Sequence, residues 1–148
     1  IRSYTGNERI YNSPSMTKDG KILWDELTRK DLMDLAEKTG ATLLGKGPLD
    51  VIASKGDHSL KDHITVRIGD VEMLARFNKA GVPQMSVGGT GDVLAGLTVG
   101  LLSLGMPSFD ASCLASFING EAGERSFRDV GHSLSAFDLV SRIRILPS

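Results

Sequence analysis

The chain has 148 residues, enough for one domain with a hydrophobic core, and its 41% hydrophobic and 24% charged residues are typical of a globular protein. Seventeen basic and eighteen acidic residues give a formal net charge of −1, which excludes a general positive field for nucleic acid or acidic lipid. We therefore expect no nucleic-acid or membrane partner, and any anion site must be local.

The cysteine content and the N-terminal sequence favour a cytoplasmic protein. Cys113 is the only cysteine and lies in an apolar helical pattern, so we expect a buried packing group in a reducing compartment. The N-terminal residues contain no apolar signal core, and the apolar run 94–104 is too short to span a bilayer. His58, His63 and His132 lack a partner at helical spacing, so we expect surface positions and no metal site.

The first elements in chain order are a loop and a helix. Residues 1–20 are polar, contain Pro14 and predict a poorly defined segment with one short strand at most. The stretch TRKDLMDLAEKTG predicts an amphipathic helix with Thr28 as N-cap, Asp31 at the third helical position and Gly40 as terminator.

Strand patterns follow this helix directly. ATLLGKGPLDVIAS predicts two short strands around a tight turn, and HITVRIGDVEMLARFN predicts a β-hairpin around Gly69 and Asp70. A helix that leads into a buried strand is the unit of an α/β sheet, so we expect an α/β protein.

Helices fill the rest of the chain. We expect a helix over 92–104 that ends at Gly105, a second over SFDASCLASFINGEAGERSF capped by Ser108 or Asp110, and a third beginning near Ser135. Gly120 and Gly123 are unfavourable inside a helix, and we interpret them as sites of close packing against a neighbour.

The stretch MSVGGTGDVLAG raises the question of function. Glycines at 88, 89 and 91 allow successive backbone N–H groups to converge on an anion, and the helix that follows adds the positive end of its dipole. Thr90 offers a hydroxyl donor. Asp92 is unexpected beside phosphate, unless it accepts a proton from an attacking hydroxyl or holds a metal; alternatively, it is a first-turn acid favoured by the helix dipole.

VGGTGDVLAGLTVGLLSLG resembles the anion-hole motif of the ribokinase-like superfamily, and its GGTGD-VLAG form is similar to that of the ADP-dependent NAD(P)H-hydrate dehydratases. The segments LLGKGPLDVIAS, FNKAGVPQM, SFINGEAGE and GHSLSAFDLV resemble further family motifs in the same order. The resemblance covers about residues 23–145.

This resemblance implies a ribokinase-like three-layer α/β/α sandwich and an enzyme that repairs hydrated NADH or NADPH. Family members use ADP to phosphorylate the hydroxyl on the nicotinamide ring, and phosphate then leaves. ATP in place of ADP, and a Mg²⁺ ion, are left open. By the same resemblance, Asp92 is the base and binds the hydrate together with Asn78, while the N–H groups of Gly89, Thr90 and Gly91 hold the transferring phosphoryl group. Gly91 contacts the nucleotide, and so does a second segment that consists of Lys46, Gly47, Pro48, Leu49 and Asp50.

The sequence departs from the family at its start. Family domains are longer, their first half has no counterpart here, and NSPSMTKDGKIL stands where members carry Thr-Pro-His-x-Gly-Glu. We therefore expect residues 1–148 to be a single ribokinase-like domain or a fragment of one, completed by a homo-oligomer or a partner chain. A ribokinase-like small-molecule kinase and a non-catalytic nucleotide-binding fragment remain as alternatives.

Overall fold

The computed structural model describes the secondary structure of residues 15–16, 22–23, 26–55, 64–68 and 71–143, and the side chains of residues 31–55, 65 and 73–143. The chain divides into two compact units. One comprises Ile1–Gly56 and Lys61–Phe77, and the other comprises Asp57–Leu60 and Asn78–Ser148. The predictions for His58, His63 and the turn at residues 69–70 lie outside the described residues, as does most of segment 1–20.

The first unit combines one helix with short strands. Strands β1 (Ser15–Met16) and β2 (Ile22–Leu23) pair with each other, and helix α1 (Glu26–Thr39) follows. A four-stranded sheet in the order β3-β4-β6-β5 is formed by β3 (Leu43–Gly45), β4 (Asp50–Ser54), β5 (Ile64–Ile68) and β6 (Val71–Asn78).

The two predicted strand pairs are present. Strand β3 runs antiparallel to β4, with Leu44 opposite Ile52, and β5 runs antiparallel to β6, with Val66 opposite Met73. All five residues of β4 are buried, as its apolar sequence predicts. The core of this unit joins α1 to the sheet through Met33, Ala36, Ala53, Met73 and Ala75, with Leu32 and Leu43 packed against them.

The predicted start of α1 is wrong, whereas its end is confirmed. The helix begins at Glu26, so Thr28 is a helical residue rather than the N-cap and Asp31 falls in the second turn. At the other end, Gly40 has φ of 66°, and its N–H donates to the Ala36 carbonyl oxygen at 2.9 Å. Gly40 therefore terminates the helix as expected.

The second unit is helical. A 3₁₀ turn at Pro83–Met85 precedes α2 (Thr90–Ser103), which is followed by α3 (Ser108–Val130), a second 3₁₀ turn at Gly131–Ser133 and α4 (Ala136–Arg142). Helix α2 packs against both α3 and α4. A cluster of buried side chains around α3 and α4 forms part of the core: Met85, Ala122, Leu134 and Leu139. Within the described part of the chain, no helix combines the length and apolar character that a membrane crossing requires.

The helix starts in this unit differ from those expected in two places. Helix α2 begins at Thr90 because Gly89 adopts a left-handed conformation and acts as N-cap. Helix α3 has Pro107 as N-cap without a side-chain hydrogen bond, so neither Ser108 nor Asp110 is its cap; both already lie in the first turn. The third prediction is confirmed: Ser135 is the N-cap of α4 and forms a capping box with Asp138.

Candidate functional site

The N-terminus of α2 is built by one glycine conformation. Gly89 has φ of 90° and ψ of −18°, a left-handed geometry, and its carbonyl oxygen accepts the first helical hydrogen bond from the Val93 N–H at 3.0 Å. Gly89 has no side chain with which to cap this helix end. The first N–H groups of a helix lack acceptors within it, so this end offers backbone donors and positive dipole potential to an anion.

Packing fixes Gly89 but leaves its glycine neighbours open. A Cβ on Gly89 would lie 2.9 Å from the Cβ of Ala136, the first residue of α4, whereas a Cβ on Gly88 or Gly91 would meet nothing within 4 Å. Gly88 and Gly91 are also exposed. The loop is therefore anchored at one glycine, and its backbone is accessible on either side.

The buried Thr90 side chain forms hydrogen bonds with the preceding loop. Its side chain is 2% exposed, and its hydroxyl lies 2.7 Å from the Met85 carbonyl oxygen and 3.1 Å from that of Val87. The single hydroxyl proton is donated to these carbonyls in this structure, and the expected donation to a bound anion stays a prediction. The hydroxyl fixes the start of the helix to the preceding turn.

Asp92 lies in the first turn of α2 and is exposed. Among the side chains that the structure describes, none forms a hydrogen bond or an ion pair with it. An exposed carboxylate at this position can accept a proton from a hydroxyl placed beside a bound phosphate. Its negative charge also interacts favourably with the helix dipole. The geometry is therefore compatible with both roles expected from the sequence, a base and a first-turn acid.

Asn78 uses both ends of its amide group within the second unit. Its Nδ2 donates to the Ser116 hydroxyl at 2.7 Å, and its Oδ1 accepts the Ala80 N–H at 3.1 Å. These bonds fasten the chain segment before the 3₁₀ turn to α3.

The segment Lys46–Asp50 forms the turn between β3 and β4 in the first unit. Asp50 is 8% exposed, and its Oδ1 accepts the Gly47 N–H at 3.0 Å, which shapes the turn from inside. Lys46, Gly47 and Pro48 are exposed and Leu49 is half-buried. The turn thus presents one cation and accessible backbone to solvent.

The sequence did not identify Glu124. Its Oε1 accepts the Gly81 N–H at 2.9 Å, and Gly81 has φ of 126°. Helical spacing places Glu124 on the same face as Gly120, which was recognised as a packing position, but it does not indicate Gly81 as the partner. The expected close packing itself is confirmed: a Cβ on Gly120 would lie 2.7 Å from the Ala80 Cβ, and one on Gly123 would lie 2.7 Å from the Met85 Cγ.

Two other predictions concern reactive side chains of this unit. Cys113 is 4% exposed and forms no disulfide, so it is a buried group as expected. His132 is exposed as expected, with its ring 5.7 Å from that of Phe127 in an edge-on arrangement. Among the side chains of residues 31–55, 65 and 73–143, no group of three His, Cys, Asp or Glu residues could hold a metal ion.

A basic surface cavity of about 270 Å³ lies where the ends of α3 and α4 meet. It is lined by Arg125, Arg128, Asp129 and Arg142. Arg142 Nε donates to Asp129 Oδ2 at 2.8 Å, and Arg125 pairs with Glu121 at 3.4 Å. The ion pairs neutralise much of the charge here, so this cavity does not compete with the N-terminus of α2 as a candidate anion site.

Helix α2 thus begins at a glycine cap and carries an exposed carboxylate in its first turn, as the glycine pattern of the sequence predicts. The chain belongs to the NAD(P)H-hydrate dehydratase family, whose model matches residues 25–144. The family has the ribokinase-like fold, so the predicted family and fold class are confirmed.

Individual relatives agree with this assignment. The chain is 42% identical over 109 residues to the bifunctional NAD(P)H-hydrate repair enzyme Nnr of Methanothermobacter thermautotrophicus. This alignment covers 74% of this chain and 18% of that protein. It is 38% identical over 114 residues to the ADP-dependent (S)-NAD(P)H-hydrate dehydratase of Cenarchaeum symbiosum, covering 77% and 33% of the two chains. The corresponding enzyme of Nitrosopumilus maritimus is 33% identical over 130 residues, covering 88% and 37%. The chain thus spans about a third or less of the first two of these relatives. No solved structure matches it significantly.

Proposed function

We propose that the protein catalyses the ADP-dependent dehydration of hydrated NADH or NADPH. The observation that carries this proposal is the exposed Asp92 beside the glycine-capped N-terminus of α2, in a chain of the NAD(P)H-hydrate dehydratase family. The relatives named as ADP-dependent favour ADP over ATP. The proposal takes residues 1–148 as one ribokinase-like domain or a part of one, in the cytoplasm, completed by a second copy or a partner chain.

The reaction divides into transfer and elimination. Asp92 takes the proton of the hydroxyl on the hydrated nicotinamide ring, and that oxygen forms a bond to the terminal phosphorus of ADP while the bond from this phosphorus to the bridging oxygen breaks, releasing AMP. The original bond between the ring carbon and this oxygen then breaks, phosphate leaves with the electron pair, and loss of a ring proton restores the double bond of NADH or NADPH.

The backbone around α2 supplies electrostatic stabilisation. The N–H groups of Gly89, Thr90 and Gly91 are the candidate donors to the phosphoryl group in transfer, and the helix dipole adds to their potential. Donors held in place by the fold need no reorganisation when charge develops on the phosphoryl oxygens. Asn78 remains the proposed second contact to the hydrate.

The nucleotide end is assigned to the turn Lys46–Asp50. Its exposed lysine and accessible backbone suit the adenylate part of ADP. Mg²⁺ commonly keeps several waters and binds through substrate phosphates, so an ion at this site would be held chiefly by the ADP phosphates while Asp92 stays the assigned base. A bound Mg²⁺ would neutralise charge on the phosphate oxygens.

Recovery of nicotinamide absorbance tests the proposal. The protein, expressed with any further residues that its gene encodes, is incubated with ADP and hydrated NADH. We expect ADP-dependent return of the absorbance, and we expect Asp92→Asn to lower kcat by about 10²–10⁴-fold, the usual contribution of a general base. ADP affinity should be kept or increased in this variant, because a negative charge beside the phosphate is removed.

Asp129→Asn is the matched control, because its carboxylate is exposed and pairs with Arg142 at the end of α3. This variant should keep full activity. A wild-type protein that binds ADP without restoring absorbance would be a nucleotide-binding module, and the catalytic proposal would be wrong. Full activity of Asp92→Asn would contradict the assignment of Asp92 as the base.

A further inference from the structure

One face of α3 contacts the segment 78–85, which precedes the glycine loop. Ser116, Gly120, Gly123 and Glu124 follow the i, i+4, i+7, i+8 spacing of a single helical face, and we call them the loop-facing stripe. Each member contacts a residue between positions 78 and 85 or leaves room for one. The segment is thus held by side-chain hydrogen bonds at two points and by direct backbone packing between them.

Glu124 makes the longest-range of these hydrogen bonds. Its carboxylate oxygen accepts the Gly81 N–H at 2.9 Å across 43 positions of sequence, and both residues are partly shielded from solvent. Hydrogen bonds to an ionised acceptor are stronger than neutral ones. Gly81 has φ of 126°, a conformation that only glycine adopts easily, so the bond fixes the chain at a glycine-specific backbone position.

The fixed turn is joined to the phosphate loop through Met85. A Cβ on Gly81 would lie 3.2 Å from the Met85 sulfur, and Gly123 leaves the space that the same side chain occupies. The Met85 carbonyl oxygen then accepts the Thr90 hydroxyl at 2.7 Å, at the first residue of α2. A continuous set of contacts therefore runs from Glu124 through Gly81 and Met85 to the helix end.

We propose that Glu124 is a positioning residue, whose hydrogen bond to Gly81 sets the place of the N–H groups of residues 89–91. This inference rests on the proposed function, because it assigns those groups to the transferring phosphoryl group. Glu124 does not touch the reacting atoms. It acts on the geometry of the donors, and small displacements of such groups have large effects on rate.

The inference is tested with Glu124→Ala and Glu124→Gln in the protein expressed as above. We expect Glu124→Ala to lower kcat by about 10-fold to 100-fold and to weaken ADP binding, while AMP, which lacks the transferring phosphate, binds as before. Glu124→Gln keeps an acceptor oxygen for Gly81 and should recover most of the loss. The selective effect on ADP and the rescue by glutamine distinguish positioning from a general loss of folded protein.

Glu121→Ala is the matched control. Glu121 lies on the same helix and its carboxylate pairs only weakly with the exposed Arg125, at 3.4 Å, so its removal should change neither kcat nor ADP affinity. Wild-type kcat and ADP affinity in Glu124→Ala would overturn the inference, as would equal losses of ADP and AMP binding.

Amide NMR spectra keep this test separate from the proposed function. In Glu124→Ala, the amide signals of Gly81, Gly89 and Gly91 should shift, and the Gly81 amide should exchange faster with solvent. If the wild-type protein shows no turnover, the proposed function fails, and these shifts alone decide the positioning role. Unchanged signals at Gly89 and Gly91 would contradict it.

Discussion

Substitution of Gly120 by alanine tests the packing of the helical unit most directly. A Cβ at this position would lie 2.5 Å from the Ala80 carbonyl carbon and 2.7 Å from the Ala80 Cβ. These distances are far below van der Waals contact, and the obstacle is backbone that no rotamer change can move away. Helix α3 and the segment at Ala80 must therefore separate, which in a well-packed interior costs up to about 3 kcal/mol.

The expected result is a lower free energy of unfolding by about 3 kcal/mol, partly offset by the better helix propensity of alanine, about 1 kcal/mol. A net loss of about 2 kcal/mol corresponds to a Tm lower by roughly 4–8 °C for a chain of this size. Urea unfolding followed by circular dichroism measures the free energy, and a thermal scan gives the Tm.

Gly100→Ala is the matched control, because Gly100 is an exposed glycine inside α2 with nothing within 4 Å of a Cβ. This variant should be more stable than wild type by about 0.5–1 kcal/mol. If Gly120→Ala matched Gly100→Ala in stability, the close approach of α3 to Ala80 would be refuted.

Four further predictions follow the same logic. Gly123→Ala should cost less than Gly120→Ala in urea unfolding, because its Cβ would meet the flexible Met85 side chain rather than backbone. Asn119 is 2% exposed, and its Oδ1 has no hydrogen-bond partner among the described residues. Asn119→Leu should therefore unfold at an equal or higher urea concentration than wild type. Clear destabilisation would contradict this and show that the Asn119 amide makes a stabilising hydrogen bond. Cys113 should react with a thiol reagent only as the protein unfolds, and fast labelling of the folded protein would contradict its burial. Hydrogen bonds from the Ser135 hydroxyl, and next from the Ser135 backbone N–H, hold the pKa of Asp138 below its ordinary value of 3.8. The stabilisation by this cap is therefore complete above pH 3.8 and is lost as pH falls through the lowered pKa. Ser135→Ala should raise the pKa of Asp138 in an NMR titration.

Secondary structure could be predicted well wherever the signal is local. Both strand pairs follow from alternating or continuous apolar runs separated by turn residues, and Gly40 ends α1 because a left-handed residue is needed there. Helix starts were harder. Acceptable caps recur in this sequence, and α3 begins after Pro107 without a side-chain cap bond, so a search for capping residues does not find its start.

The candidate site shows the same division between local and distant information. The glycine pattern predicted a helix N-terminus that offers donors, and the structure has one at Thr90. The use of the Thr90 hydroxyl could not be predicted, because Met85 and a ligand are equally plausible acceptors from sequence alone. The contact of Glu124 with Gly81 joins residues 43 positions apart, and no periodicity reports a contact at that separation.

The close approach of Gly89 to Ala136 links the permitted variation at two distant positions. The methyl group of Ala136 occupies the space that any side chain at position 89 would need. A larger residue at position 136 would press on the glycine loop, so natural variants should keep both positions small, and substitutions at one should constrain substitutions at the other. For protein engineering, position 136 offers a way to adjust the shape of the loop while its own sequence stays intact.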